Sequence, residues 1–126
     1  MDIISASQLI TDEYAAKILI ATYRRPKNAI ELSQRLGIPI AACYRRIRAL
    51  EKAQLLTCVE RVLTQKGKRI SVYISELKNA YISMENGQIK VRFDMKNGPS
   101  QDFGGVWDPM AATAAAPPQE DELISR

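Results

Sequence analysis

The sequence predicts an α+β fold, with short helices in the first half and β-hairpins in the second. Three observations carry that expectation. Two helical patterns flank a glycine turn at Gly37, a basic turn centred on Gly67 separates two alternating segments, and Asn86-Gly87 separates two further runs of alternating apolar residues.

The chain opens on Ile3, Ile4, Leu9 and Ile10 mixed with Ser5, Ser7 and Gln8, which suits either an extended arm or a short lead-in helix. Thr11 can cap a helix with Asp12 and Glu13 in its first turn and Arg24 and Arg25 in its last, the arrangement that complements the helix dipole. Its inward face is Tyr14, Ala15, Ile18, Leu19 and Thr22, and it ends before Pro26. Asn28-Ala29-Ile30-Glu31 reads as a capping box for a second helix, with Ala29, Leu32 and Leu36 inward and Gly37 at the left-handed position beyond its end. Pro39 then precedes a third helix, residues 40 to about 53, with an inward stripe of Ile40, Cys43, Ile47 and Leu50. The opposite side carries Ala41, Arg45, Arg48 and Lys52, flanked by Ala42, Tyr44 and Arg46.

Residues 56 to 64 read as a strand whose face assignment is ambiguous. Gln65, Lys66, Gly67, Lys68 and Arg69 form a polar turn, and Ile70, Val72 and Ile74 then alternate with Ser71, Tyr73 and Ser75. Three helices and a basic hairpin in this order define a winged helix-turn-helix, the hairpin being the wing. A second hairpin follows. The Asn86-Gly87 pair suits a type I′ turn that opposes Met84 to Ile89, Ile82 to Val91 and Ala80 to Phe93 on one apolar face, with Ser83 against Lys90 and Tyr81 against Arg92 on the other. The apolar side must be covered by the first helix, the wing sheet or a second subunit. From Asn97 the composition turns to Gly, Pro, Ala and acid, so residues 1–96 are expected to form the domain and 97–126 a disordered tail, in which Phe103 and Trp107 are expected to be solvated, docking being the lesser alternative.

The run Leu32-Ser33-Gln34-Arg35-Leu36-Gly37-Ile38-Pro39, followed by Cys43-Tyr44-Arg45-Arg46-Ile47-Arg48-Ala49-Leu50-Glu51-Lys52-Ala53-Gln54-Leu55-Leu56, resembles the ArsR-like winged helix-turn-helix transcriptional regulators of archaea and bacteria. The likeness covers about residues 11 to 96. It implies that the helix at 40–53 reads DNA and that the wing touches backbone or minor groove. Gln54 departs from the pattern, since the family often has glycine after the recognition helix.

Charge distribution agrees with a polyanionic partner. Residues 1–96 hold 17 Lys/Arg against 9 Asp/Glu, and residues 24–69 hold 12 against 3, whereas residues 97–126 hold 1 against 5. Small residues at the start of the third helix admit its first turn to a major groove, and guanidinium groups reach guanine edges or phosphates. The expected contacts to double-stranded DNA are Ala42, Tyr44, Arg45, Arg46 and Arg48 on the helix and Lys66, Lys68 and Arg69 on the wing. Arg45 is favoured for base reading, and Arg24, Arg25 and Lys27 are weaker phosphate candidates. A solvated basic surface helix would share the composition, but not the helix-turn-helix spacing.

No histidine base, phosphate loop or inward carboxylate pair is present, so an enzyme is not expected, nor is a cofactor. Cys43 and Cys58, without a histidine, cannot complete a structural zinc site unless carboxylates join them, and are expected as free thiols; ligand sensing through them is a lesser alternative. No apolar run approaches a membrane span and no signal peptide is evident, so the expected location is cytoplasmic. A homodimer is expected, because one recognition helix covers only a few base pairs. The competing reading is a winged helix used as a protein-interaction adaptor or an architectural chromatin protein.

Overall fold

The computed structural model describes residues 1–63, 65–104 and 110. Its elements are α1 (Ile3–Thr11), α2 (Glu13–Ala21), β1 (Lys27–Asn28), α3 (Ala29–Leu36), α4 (Ile40–Lys52), β2 (Leu56–Leu63), β3 (Arg69–Ser75), β4 (Leu77–Glu85), β5 (Gln88–Met95) and β6 (Gln101–Phe103). Helices α2, α3 and α4 with the β2–β3 hairpin make an α+β winged helix-turn-helix, to which α1 and a second sheet are added.

The N-terminal segment is helical. Asp2 accepts from the Ser5 amide at 2.7 Å and caps α1. Asp12, rather than Thr11, caps the next helix, its carboxylate accepting from the Ala15 amide at 2.8 Å. Thr11 closes α1 instead and donates its hydroxyl back to the Ser7 carbonyl. Helix α2 ends at Ala21, so Arg24 and Arg25 lie beyond it and not in its last turn. Its inward face is as expected: Ala15, Ile18, Leu19 and Thr22 are buried, and Tyr14 is half-buried.

Asn28 caps α3 by accepting from the Glu31 amide at 2.8 Å, while the Glu31 side chain pairs with Arg35 at 3.0 Å. Gly37 has φ 69°, a left-handed backbone that a residue with a Cβ adopts only at a cost. Helix α4 buries Ala42, Cys43, Ile47 and Leu50. The rotation of its first turn therefore differs from the expected stripe: Ile40 is 44% exposed and Ala42 only 6%. A methyl-sized side chain lets α4 approach its neighbours closely, whereas Ile40, ahead of that contact, projects from the helix start. At the other end Leu55 donates to the Leu50 carbonyl at 2.9 Å, the six-to-one bond of a Schellman ending. That bond puts Gln54 at φ 65°, the left-handed site that glycine would fill without strain.

Strands β1, β3 and β2 form one antiparallel sheet, in which β1 joins β3 through Lys27↔Tyr73 and Asn28↔Val72. The two residues of β1 are too short a pattern to be legible in the sequence. The β2–β3 register slips between Cys58 and Glu60, and Val59, Glu60, Arg61 and Leu63 are all exposed. The ambiguous alternation of β2 thus has a physical cause: past the bulge the wing projects from the body and keeps little of a buried face.

The second sheet has the order β4-β5-β6. Its β4–β5 register is the expected one, pairing Met84↔Ile89, Ile82↔Val91 and Ala80↔Phe93 on one face and Ser83↔Lys90 and Tyr81↔Arg92 on the other. Asn86 and Gly87 have φ 52° and 76°, as a type I′ turn requires. Helix α1 packs on β5 and covers the base of the apolar face, where Val91 and Phe93 are buried; Ile82 and Met84 near the tip are exposed.

The expected boundary at residue 96 is corrected by β6, which pairs Phe93↔Gln101 and Val91↔Phe103. Phe103 packs edge-on against Phe93 with ring centroids 5.3 Å apart, so the composition change at Asn97 does not end the ordered chain. Trp107 and the Ala-Pro-acid stretch lie outside the described residues.

Backbone hydrogen bonds fix the β3–β4 junction against the helical core and the end of β5 against that junction. Ser75 donates to the Thr22 carbonyl at 3.0 Å, Glu76 to Leu55 at 2.9 Å, and Lys96 to Glu76 at 2.8 Å. One continuous apolar core runs from Ala6 of α1 through Ile18, Leu32, Ile47 and Leu50 to Phe93.

Candidate nucleic-acid interface

Helix α4 and the wing set the shape of the candidate interface. With Ala42, Cys43, Ile47 and Leu50 turned into the core, the outward side of α4 carries Ala41, Tyr44, Arg45, Arg48 and Lys52, all exposed. Among the described residues, Arg45 and Arg48 pair with no carboxylate. Pro39 supplies no side-chain acceptor to the first turn of α4, so a basic face leads toward a helix start whose amides are uncapped by a side chain.

The wing contributes Lys66, Lys68 and Arg69, all exposed around Gly67. The two elements meet at a depression of about 220 Å³ lined by Asn28 and Ile30 of the α3 start, Tyr44 of α4, and Arg69, Ser71 and Tyr73 of β3. Tyr44 and Arg69, twenty-five positions apart in the chain, therefore border one surface feature.

Two of the residues expected at the interface stand elsewhere. Ala42 is in the core, as its burial requires. Arg46 turns back toward α2, where Nε and Nη2 donate to Asp12 Oδ2 and Oδ1 at 2.9 and 3.1 Å, and its guanidinium lies 5.4 Å from the Tyr14 ring centroid. The correction follows from geometry: Arg46 lies between Cys43 and Ile47 on the helix, close enough to the buried stripe to meet the N-terminus of α2. It positions α4 instead of presenting a free cation. Conversely, Ile30 and Ile40, 50% and 44% exposed, add apolar surface beside the basic face; of the two, Ile40 belongs to the expected inward stripe.

Asp12 does two jobs, capping α2 and holding Arg46. The hydrogen bonds from Arg46 are the main cause that lowers its pKa from the ordinary carboxylate value, opposed by partial burial. A depressed folded pKa gives stability that is present above the unfolded value and lost as pH falls through the folded one. Asp12→Asn keeps a capping oxygen but loses the charge pair, and should cost about 1 kcal/mol near neutral pH. Denaturant titrations should show wild-type stability falling toward that of the variant below about pH 4. A constant difference down to pH 2 would remove the ion pair from the stability of the fold.

Cys43 is fully buried with its thiol 3.6 Å from the Ala29 carbonyl, and burial pushes its pKa up. That is the environment of a packing residue and not of a reactive thiolate. Cys58 is half-buried, the two cysteines are not joined in a disulfide, and no group of His, Cys, Asp and Glu among the described residues could hold a metal ion. No helix among the described residues is long and apolar enough to cross a membrane.

The fold and this basic face define a helix-turn-helix protein with a wing. Residues 10–59 match the sequence model of a family described as a helix-turn-helix domain, a stretch that takes in α2, α3 and α4 and enters β2. A comparison with curated proteins found no match.

Proposed function

We propose that the protein is a transcriptional regulator that binds double-stranded DNA, with α4 in the major groove and the wing on the flanking backbone. The observation that supports this reading is the junction of Tyr44 and Arg69 at one depression, where the exposed face of α4 adjoins the base of the basic wing. Arg45 and Arg48 are the base- and phosphate-contacting cations of the helix. Tyr44 shapes the approach, and Lys66, Lys68 and Arg69 neutralise phosphates beyond it.

A titration of labelled random-sequence duplex at several salt concentrations tests the reading. Affinity should fall steeply with salt as counterions are released, and replacing Lys66, Lys68 and Arg69 together by Ala should flatten the log–log slope by about one for each phosphate no longer neutralised. An unchanged slope removes the wing from the interface. Absence of binding even at low salt favours the adaptor reading.

The working form in this proposal is a homodimer on two half-sites centred about 10 to 10.5 base pairs apart or a multiple of it. Ile3, Leu9 and Ile10 already pack against the monomer core, while Ile82 and Met84 are 42% and 75% exposed, which favours the tip of the second hairpin as the interface. Light scattering at micromolar concentration should give a dimer mass that Ile82→Lys reduces to a monomer. A monomer mass both free and on DNA overturns the dimer.

A further inference from the structure

We infer that the groove between α2 and the start of β4 is a binding site for an amphipathic organic anion, an apolar chain or ring system with a single carboxylate or sulfonate head. The inference is independent of DNA binding. The groove encloses about 730 Å³, within the range of small-molecule sites, and lies where the helical core meets the second sheet.

Its concavity comes from small side chains. Ala16 and Ala21 on α2 and Ala80 on β4 leave room that larger residues would fill, while Leu19, Ile20 and Leu77 supply apolar walls. Ile20 is 76% exposed at the lip, an apolar side chain left largely in water. The polar lining is of one sign. Arg24, Arg25, Lys27 and Lys78 all border the groove, and no Asp or Glu does. Lys27 is engaged, its Nζ donating to the Ala21 carbonyl at 2.7 Å, whereas Arg24, Arg25 and Lys78 meet no carboxylate among the described residues.

An apolar trough with a cationic margin selects a ligand that buries hydrocarbon and leaves a negative head at the rim. It disfavours a second copy of this chain, because a two-fold contact through the groove would set the basic margins against each other with no carboxylate in the lining to separate them.

The test uses the full chain without DNA, with 1-anilinonaphthalene-8-sulfonate as reporter and dodecanoate, dodecanol and dodecyltrimethylammonium as competitors. Dodecanoate should displace the reporter saturably at one site per chain, at least tenfold more effectively than the alcohol, with the cation weaker still. The exposed double variant Arg24→Glu/Arg25→Glu should weaken dodecanoate at least tenfold at unchanged circular dichroism. Ala16→Phe should abolish displacement, and Gln34→Ala, exposed on α3 and outside the lining of the groove, should change nothing. Equal displacement by acid and alcohol, or indifference to both groove variants, overturns the proposal. Two other occupants would also overturn it. A dimer that disappears in Ala16→Phe would assign the groove to a second copy. A shift in the emission of Trp107, the single tryptophan, on Ala16→Phe without ligand would assign it to the C-terminal segment of this chain.

Discussion

Phe93→Ala should destabilise the protein by about 3 to 5 kcal/mol, the cost of deleting a fully buried aromatic ring whose site cannot close around the cavity. The site is rigid on three sides. Phe93 is hydrogen-bonded in register between Ala80 and Gln101, its ring meets Phe103 edge-on at 5.3 Å, and α1 packs across β5. A loss of that size approaches the whole stability of many small domains, so the melting temperature should drop by well over 10 °C. Phe103→Ala removes one partner only and should cost less. If Phe93→Ala unfolds with a loss below about 1 kcal/mol, the second sheet is not part of the cooperative core.

On a selected operator, Arg45→Ala should weaken binding by about 1 to 3 kcal/mol, some five- to 150-fold, and relax the preference at one base pair. The position supports this: Arg45 is exposed in the middle of α4 and pairs with no carboxylate among the described residues, so it brings no intramolecular bond that must first be broken. Arg48 should act as a phosphate anchor, with Arg48→Ala weakening all sequences alike. Arg46→Ala is the informative contrast. Because Arg46 is clamped by Asp12, its loss should lower folding stability and leave the selected motif intact. A selection in which Arg46→Ala changes the base preference while Arg45→Ala does not would reverse these assignments.

Much of this architecture is legible in the sequence because it rests on local physics. The Asn28 cap, the Gly37 stop and the Asn86-Gly87 turn each depend on a few adjacent residues with specific backbone preferences, and period-two alternation sets the pairing of Met84 with Ile89 and of Ala80 with Phe93. The outward positions of Arg45 and Arg48 follow from helical spacing once one buried residue is placed.

Tertiary structure decided what spacing leaves free. Ala42 and Ile40 exchanged inside for outside because the first turn of α4 meets its neighbours through the Ala42 methyl group and leaves Ile40 at the surface. Arg46 left the outward face of α4 because Asp12, thirty-four positions earlier, stands within bonding distance. Strand β6 formed in a stretch of low hydrophobicity because β5 offered an open edge and Phe93 a ring for Phe103 to meet. Each of these outcomes is set by contact between segments far apart in the chain, which periodicity within one segment cannot encode.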